Sequence, residues 1–192
     1  KNQVFANDKD RNQFNRAYND EIYHEKNNLY KQRKQELKKL SEEGKLTDIY
    51  TGENISGKRT VIDKNGNACE KNIFDTEHKN SAKGMHDRDD FRFAYDEKSG
   101  ADLVNSKENL GATRYDRNRS KGEKELDIWA NQKSTKDPTK TNAEYFGIDI
   151  EYADKQIKDA KTFLDKNIAK AEFKKYSKEL TTTSLSVGGK TF

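Results

Sequence analysis

The sequence predicts an α+β fold, with long helices at both ends of the chain and short strands between them. Apolar residues recur at helical spacing from about residue 8 to residue 43, and again from about residue 149 to residue 180. Residues 47–78 instead form short strand-like runs separated by turns. We therefore divide the 192-residue chain into an N-terminal helical region (1–46), a central core (47–132) and a C-terminal region (133–192).

The N-terminal region is predicted to form one long amphipathic helix, or two, ending near Gly44. Its polar face carries many charges of both signs. We interpret it as a solvated helix packed on the core, with DNA contact by its Lys and Arg residues as a secondary interpretation. The apolar positions are Phe14, Tyr18, Ile22, Leu29, Tyr30, Leu37 and Leu40.

The central core begins with a predicted β-hairpin. Asn65-Gly66 is a strong turn signal, and it stands between the strand-like runs 60–62 and 68–74. Residues 79–102 are predicted to form a long polar loop, with one short strand at the alternating residues Phe91, Phe93 and Tyr95.

Helices are predicted for most of the rest of the chain. Two short helices should cover about residues 113–121 and 123–132, followed by a linker at 134–141 and a Thr/Ser/Gly-rich tail at 181–192. The long helix between linker and tail should bury a stripe of six residues: Ala153, Ile157, Ala160, Leu164, Ile168 and Ala171.

The composition allows only a modest core and excludes several kinds of site. Charged residues make up 38% of the chain and hydrophobic residues 30%, with a mean hydropathy of −1.30. The 19 aromatic residues nevertheless favour a folded chain over a disordered one. Cys69 is the single cysteine, which excludes an intrachain disulfide and a multi-cysteine zinc site. We find no membrane-spanning run and no signal peptide, and the start at Lys1 suggests an excised domain or processed fragment.

The charge distribution is more informative than the net charge of +4. Residues 73–102 hold eight acids and five bases, whereas residues 114–124 hold five bases and two acids. An acidic segment followed by a basic helix suits a metal site that meets a phosphate backbone.

Four polar residues in a fixed order carry the functional prediction. Glu77-His78 ends a strand-like run, Asn109 precedes Leu110, and Asn118 opens the string Asn118-Arg119-Ser120-Lys121-Gly122. Phosphodiester hydrolysis needs an activated water molecule. A neutral histidine can activate it near physiological pH by taking a proton from it. It also needs stabilisation of the phosphorane and of the leaving oxygen, which one divalent cation can provide.

This order resembles the HNH branch of the His-Me finger (ββα-metal) nucleases. The resemblance covers residues 47–125 and implies a small ββα-metal core held between long N- and C-terminal helices. It implies that His78 is the general base and that Asn109 orients it. Glu77 and Asn118 would bind one divalent metal ion, Mg²⁺ or Mn²⁺. The basic residues of the following helix would contact the nucleic-acid backbone: Arg114, Arg117, Arg119 and Lys121.

The chain departs from the family pattern at three points. It lacks paired Cys-x-x-Cys motifs, so packing must replace a structural zinc. The separation of His78 and Asn109 implies an insertion, and Glu77 stands where aspartate is commoner. His86, in a segment rich in aspartate, remains an alternative base.

The expected activity is endonucleolytic hydrolysis, with DNA favoured and weak sequence selectivity. The biological setting we expect is the C-terminal toxin domain of a bacterial polymorphic or contact-dependent inhibition system. Such a domain is secreted or delivered, acts in the target-cell cytoplasm and is blocked by a cognate immunity protein. The alternatives are a mobile-element or restriction nuclease, and a non-catalytic helical nucleic-acid-binding or adaptor module.

Overall fold

A computed structural model of the chain describes residue 5 and residues 7–184, with side chains described as far as residue 178. Within these residues lie ten helices and four strands. In chain order they are α1 (Asp8–Phe14), α2 (Asp20–Tyr23), α3 (Asn28–Glu42), β1 (Lys58–Ile62), β2 (Ala68–Asn72), β3 (Phe74–His78), α4 (Ala82–His86), α5 (Asp89–Ala94), α6 (Glu97–Val104), β4 (Leu110–Arg114), α7 (Tyr115–Lys121), α8 (Leu126–Asn131), α9 (Asn142–Phe146) and α10 (Ile150–Ser184). The chain is therefore α+β, as the sequence predicts.

The strands form two separate antiparallel pairs. Strand β1 pairs with β2 so that Ile62 faces Ala68, and β3 pairs with β4 so that His78 faces Leu110. Helix α7 follows β4 directly and packs on both β3 and β4. The β3–β4–α7 unit is thus a strand–strand–helix arrangement, with α4, α5 and α6 inserted between its two strands.

The predicted hairpin is confirmed, and its turn is held by Asp63. The Asp63 carboxylate accepts hydrogen bonds from the backbone N–H groups of Asn65 and Asn67. Gly66 takes a φ of 82°, which glycine adopts without a steric penalty.

The prediction of one or two long N-terminal helices is wrong, because asparagine caps divide the segment into three. Asn7, Asn19 and Asn27 each precede a helix and accept a hydrogen bond from a backbone N–H of its first turn. Asparagine is favoured at this capping position, where its side chain satisfies an otherwise unpaired donor. The predicted end near Gly44 is confirmed, since α3 stops at Glu42.

The prediction of a loop and strand over residues 79–102 is also wrong, since this segment forms α4, α5 and α6. Ser81 and Asp96 cap α4 and α6 through their side chains. Phe91 and Phe93 stand two positions apart, as apolar residues of a strand would, because α5 is a helix that is buried on more than one side. Phe91 packs in an apolar cluster, whereas Phe93 stacks on Tyr176 of α10.

Two helix boundaries in the second half of the chain also differ from the prediction. Residues 113 and 114 belong to β4, because they pair with β3, so α7 begins at Tyr115. Helix α10 continues through the first residues of the predicted tail, to Ser184. The remainder of that tail, 185–192, lies outside the described residues.

Three apolar clusters form the core, and α10 joins two of them. The helical cluster comprises Tyr23, Ala82, Met85, Phe91, Ala101, Val104, Leu164 and Ile168. The Trp129 cluster comprises Ile49, Tyr50, Leu126, Trp129, Ala130 and Ala153. The strand cluster comprises Leu37, Leu46, Ile55, Phe74 and Ala112. The predicted stripe of α10 supplies Ala153 to the Trp129 cluster and both Leu164 and Ile168 to the helical cluster. Within the described residues, no helix has the length and apolar character needed to cross a membrane.

Candidate active site

Strand β3 places two carboxylates on one face and the predicted base at its end. Side chains alternate along a strand, so Asp75 and Glu77 share a face. That face lies against α7, since Asn118 contacts Asp75 and Lys121 contacts Glu77. The structure therefore brings three predicted residues, Glu77, His78 and Asn118, into one cleft of about 310 Å³ that Asp75 also lines. We call it the β3–α7 cleft.

His78 is buried, and its ring contacts side chains from three other parts of the chain. Its Nε2 lies 2.8 Å from Oδ1 of Asn105, and its ring centroid lies 5.1 Å from that of His24 and 6.0 Å from that of Tyr30. Because an amide oxygen accepts hydrogen bonds, Nε2–H is the donor and Nδ1 keeps the lone pair of a neutral imidazole. Burial lowers the pKa of His78 to about 4, so the ring is neutral at physiological pH.

Asn105 and His24 are site residues that sequence reasoning missed. Asn105 caps the C-terminus of α6 and is 2% exposed, although it stands 27 positions from its partner His78. His24 follows α2 and pairs with Asp20. No local pattern marks either residue, because each contacts His78 from a distant part of the chain.

Asn109 holds the backbone that follows His78. It is fully buried, and its Oδ1 accepts a hydrogen bond from the backbone N–H of Asn80 at 2.9 Å. Its Nδ2 donates to the carbonyl oxygens of Asn80 at 3.1 Å and Val104 at 2.9 Å. The backbone N–H of Lys79 also donates to the carbonyl of Asn109 at 2.8 Å. Asn109 therefore positions the end of β3 by hydrogen bonding to the backbone that follows the strand. Asn105, in contrast, contacts the imidazole of His78 itself.

Glu77 is already engaged by two neighbours. Its Oε1 accepts hydrogen bonds from the Tyr50 hydroxyl and from Lys121 Nζ, both at 2.9 Å. Burial raises the pKa of Glu77 above its ordinary value, while the charge of Lys121 acts in the opposite direction. Burial also raises the pKa of Tyr50 well above its ordinary value, so the phenol stays a donor.

Asp75 is a second carboxylate of the cleft that sequence reasoning missed. Its Oδ2 lies 3.5 Å from Asn118 Nδ2 and 3.9 Å from Arg119 Nε, and its side chain is 35% exposed. Asp75 is therefore held more loosely than Glu77 and is more accessible. The period-two alternation of the strand could have indicated it, since Asp75 stands two positions before Glu77.

The donors of the β3–α7 cleft suit a hard divalent cation. Carboxylate oxygens of Asp75 and Glu77 and the amide oxygen of Asn118 are ligand types that Mg²⁺ and Mn²⁺ take. Among the described residues, no group of three or more His, Cys, Asp or Glu side chains is placed to hold a metal ion. A cation here would therefore rest on carboxylates, one amide and water, and Mg²⁺ commonly binds with few protein ligands and several waters.

The four basic residues predicted to contact nucleic acid divide into two pairs. Arg117 and Lys121 are both 6% exposed, and each forms an internal ion pair: Arg117 with Asp48 at 2.6 Å, and Lys121 with Glu77. Arg114 pairs with Asp116, and the Arg119 side chain is 66% exposed. Only Arg114 and Arg119 of this set present their charge at the surface.

His86, the alternative base, lies in a different environment. Its Nδ1 lies 3.1 Å from the Tyr23 hydroxyl and its Nε2 lies 3.2 Å from the carbonyl of Arg16. Both ring nitrogens are thus engaged inside the helical part of the molecule. This geometry suits a structural histidine better than a base.

Comparison of the chain with protein-family models, curated proteins and solved structures found no match.

Proposed function

We propose that this chain is a metal-dependent endonuclease that hydrolyses phosphodiester bonds of nucleic acid, with DNA as the favoured substrate. The observation that carries the proposal is the position of His78. A neutral, oriented imidazole shares the β3–α7 cleft with two carboxylates and the amide of Asn118. The order of strand, strand and helix that presents these groups supports a ββα-metal core.

His78 would act as the general base through Nδ1. Asn105 holds the proton on Nε2, so Nδ1 is the nitrogen that can take a proton from water. Asn109 acts as a positioning residue, because it fixes the backbone just after His78. These two asparagines set the tautomer and the placement of the base before any substrate is bound.

Asp75 and Asn118 would hold the divalent cation, with Glu77 beside them. We place Asp75 first because its oxygens are more accessible, whereas Lys121 and Tyr50 already occupy Glu77. Such a cation, Mg²⁺ or Mn²⁺, neutralises charge on the reacting phosphate and stabilises the leaving oxygen when bound.

A basic groove next to the cleft supports a nucleic-acid substrate. The groove is about 450 Å³ in volume and shares Lys34, Asn72, Phe74 and Asp75 with the β3–α7 cleft. Its carboxylates are Glu70 and Asp75, and its cations are Lys34, Lys38, Lys58, Arg59, Lys71 and Arg119. This excess of positive charge would hold a phosphate backbone beside the base.

The proposal is tested by cleavage of supercoiled plasmid and of structured RNA in Mg²⁺, Mn²⁺ or EDTA. We expect metal-dependent cutting of DNA that EDTA abolishes. Asp75→Asn and Asn118→Ala should lose most of the cleavage rate, whereas Asp159→Asn, at an exposed site on α10, should keep it. Metal-independent cutting, or no cutting of either nucleic acid, would contradict the proposal.

The biological setting we propose is an antibacterial toxin domain with a cognate immunity protein. An acidic partner surface would complement the basic groove and block it. Toxicity on cytoplasmic expression, relieved by a neighbouring small open reading frame, would support this setting over a mobile-element or restriction nuclease.

The second candidate is a non-catalytic nucleic-acid-binding or adaptor module. The ion pair of Glu77 with Lys121 and the contact of His78 with Asn105 favour it, since both resemble internal structural contacts. A binding module would retain affinity for nucleic acid with no cutting under any metal.

A further inference from the structure

A second large cavity lies on the opposite side of α7 from the β3–α7 cleft. It has a volume of about 630 Å³, within the usual range for small-molecule sites. Helix α7 lines it with Tyr115, Asp116, Arg119 and Ser120, which form one stripe of the helix, whereas Asn118 points to the other side. Because α8 and α9 also contribute, we call it the α7–α9 cavity.

The lining of this cavity combines aromatic rings with positive charge. Asp116 is its one acidic lining residue among those described, and four bases oppose it: Arg119, Lys124, Lys133 and Lys136. The aromatic residues are Tyr115, Trp129, Tyr145 and Phe146. This combination suits a ligand with a planar ring and a negative charge.

Tyr145 offers the accessible ring. It is 41% exposed and meets Phe146 edge to face, with 4.8 Å between the ring centroids. Trp129, by contrast, is fully buried and donates its Nε1–H to Ser120 at 3.1 Å. The floor of the cavity is therefore fixed, while Tyr145 at its wall can stack on a ligand.

Asn142 supplies an unsatisfied polar group in the same lining. It is 4% exposed, and its Nδ2 donates to the carbonyl of Trp129 at 2.9 Å. Its Oδ1 is buried with no hydrogen-bond partner in the described part of the chain. Such buried acceptors are normally paired. This oxygen is closed to solvent, so a ligand N–H group would reach it only after the Asn142 side chain turned toward the cavity.

We propose that the α7–α9 cavity binds a nucleotide. The base would stack on Tyr145, while Arg119 and Lys136 hold the phosphate. Arg119 also reaches toward Asp75 of the β3–α7 cleft, so a strand crossing α7 could occupy both sites.

The ligand class that follows is a nucleic-acid strand with an unpaired base. A base inside a duplex cannot enter such a cavity without leaving its stack, so single-stranded or flipped nucleotides are preferred. Assigning the nucleotide to the substrate strand rests on the proposed nuclease function, whereas nucleotide binding itself does not.

The test is titration of the full chain in EDTA with adenosine monophosphate, adenosine and ribose 5-phosphate. Trp129 is the single tryptophan and lines the cavity, so its fluorescence reports occupancy. We expect adenosine monophosphate to bind more tightly than either of the other two. Equal binding of ribose 5-phosphate would show an anion site only and overturn the proposal, as would no binding of adenosine monophosphate.

Variants locate the site and separate it from the cleavage chemistry. Tyr145→Ala should weaken the binding of adenosine monophosphate by about tenfold, as expected for loss of base stacking. Lys136→Ala should weaken this binding less. Phe173→Ala and Lys170→Ala are matched controls on the exposed part of α10 and should bind normally. Unchanged affinity in Tyr145→Ala would place the ligand elsewhere and overturn the proposal. Because these small ligands contain no phosphodiester bond and binding is measured without metal, these results stand apart from any failure of nuclease activity.

Discussion

His78 is kept neutral by its surroundings and oriented by one amide. Burial disfavours the charged imidazole, while Asn105 at 2.8 Å selects the tautomer with the proton on Nε2. Neutrality at physiological pH is what a general base requires, and it also links the site to the stability of the fold.

We predict that His78 makes the metal-free protein less stable below pH 6.5. The pKa of His78 drops from an ordinary 6.5 to about 4 on folding, so the unfolded chain binds more protons between these values. The contribution of neutral His78 is fully present above pH 6.5 and lost as the pH falls toward 4. The total loss is about 3 kcal/mol, from 1.36 kcal/mol per pKa unit.

Denaturant unfolding in EDTA at pH 7.5 and pH 5 measures this contribution. Between pH 7.5 and pH 5, the free energy of unfolding should fall by about 2 kcal/mol more in wild type than in His78→Gln. The difference isolates His78, because His86 and the other titrating groups are present in both proteins. Parallel pH dependence of the two proteins would show that His78 titrates normally in the folded state.

Asn109 should matter for stability as well as for positioning. Asn109→Ala leaves the N–H of Asn80 and the carbonyls of Asn80 and Val104 without their partner, so we expect a loss of about 3 kcal/mol in the free energy of unfolding. Asn131→Ala removes one exposed contact and should change stability by less than about 0.5 kcal/mol. Similar values for the two variants in urea unfolding would refute the role given to Asn109.

Helix α7 is held in place by a buried ion pair. Asp48 is fully buried, and its Oδ2 accepts hydrogen bonds from Thr113 Oγ1, the backbone N–H of Arg114 and Arg117 Nη1. This single carboxylate therefore connects the loop before β1 to both β4 and α7. It fixes the helix that carries Asn118.

The two arginines on either side of Asn118 should behave differently. Arg117→Ala leaves Asp48 buried without its cation and should destabilise the fold by about 3–5 kcal/mol. Arg119→Ala, at an exposed position, should leave stability within about 0.5 kcal/mol of wild type but weaken nucleic-acid binding. Thermal unfolding and a salt-dependent binding assay separate the two effects. Comparable destabilisation by both changes would contradict the assignment.

Local signals in the sequence were enough for several elements. The Asn65-Gly66 turn marked the hairpin, and the apolar stripe marked α10 along its length, because both patterns depend on residues close together in the chain. The position of His78 at a strand end followed in the same way.

Other features of the fold depend on packing between residues far apart in the chain, and local sequence patterns do not indicate such contacts. Arg117 follows a basic pattern typical of a surface helix, yet Asp48, 69 positions earlier, draws it inside. Phe91 and Phe93 alternate like strand residues because α5 has neighbours on several sides. Asn105 has no local mark of its contact with His78.

Helix α10 joins the helical cluster to the Trp129 cluster. Its 35 residues span roughly 50 Å at 1.5 Å per residue. Ala153 near one end lies in the Trp129 cluster and Leu164 lies in the helical cluster. The two apolar clusters should therefore unfold together.

Leu164→Ala tests this coupling. Removing this fully buried leucine should lower the free energy of unfolding by about 3 kcal/mol. Phe173 is 74% exposed on the same helix, so Phe173→Ala should change the free energy of unfolding little. In Leu164→Ala, the unfolding midpoint reported by Trp129 fluorescence should fall as far as the midpoint reported by circular dichroism. A Trp129 midpoint that stays at the wild-type value would show that the clusters unfold separately.

We propose that His78 is the base of a phosphodiesterase site. The most direct measurement compares wild type, His78→Ala and His86→Gln for plasmid cleavage in Mg²⁺ and for DNA binding in EDTA. We predict that His78→Ala binds DNA like wild type but cuts about 10²–10⁴-fold more slowly, the usual effect of losing a general base, while His86→Gln keeps its cleavage rate. Cleavage by His78→Ala at the wild-type rate, or its loss in His86→Gln alone, would contradict the account.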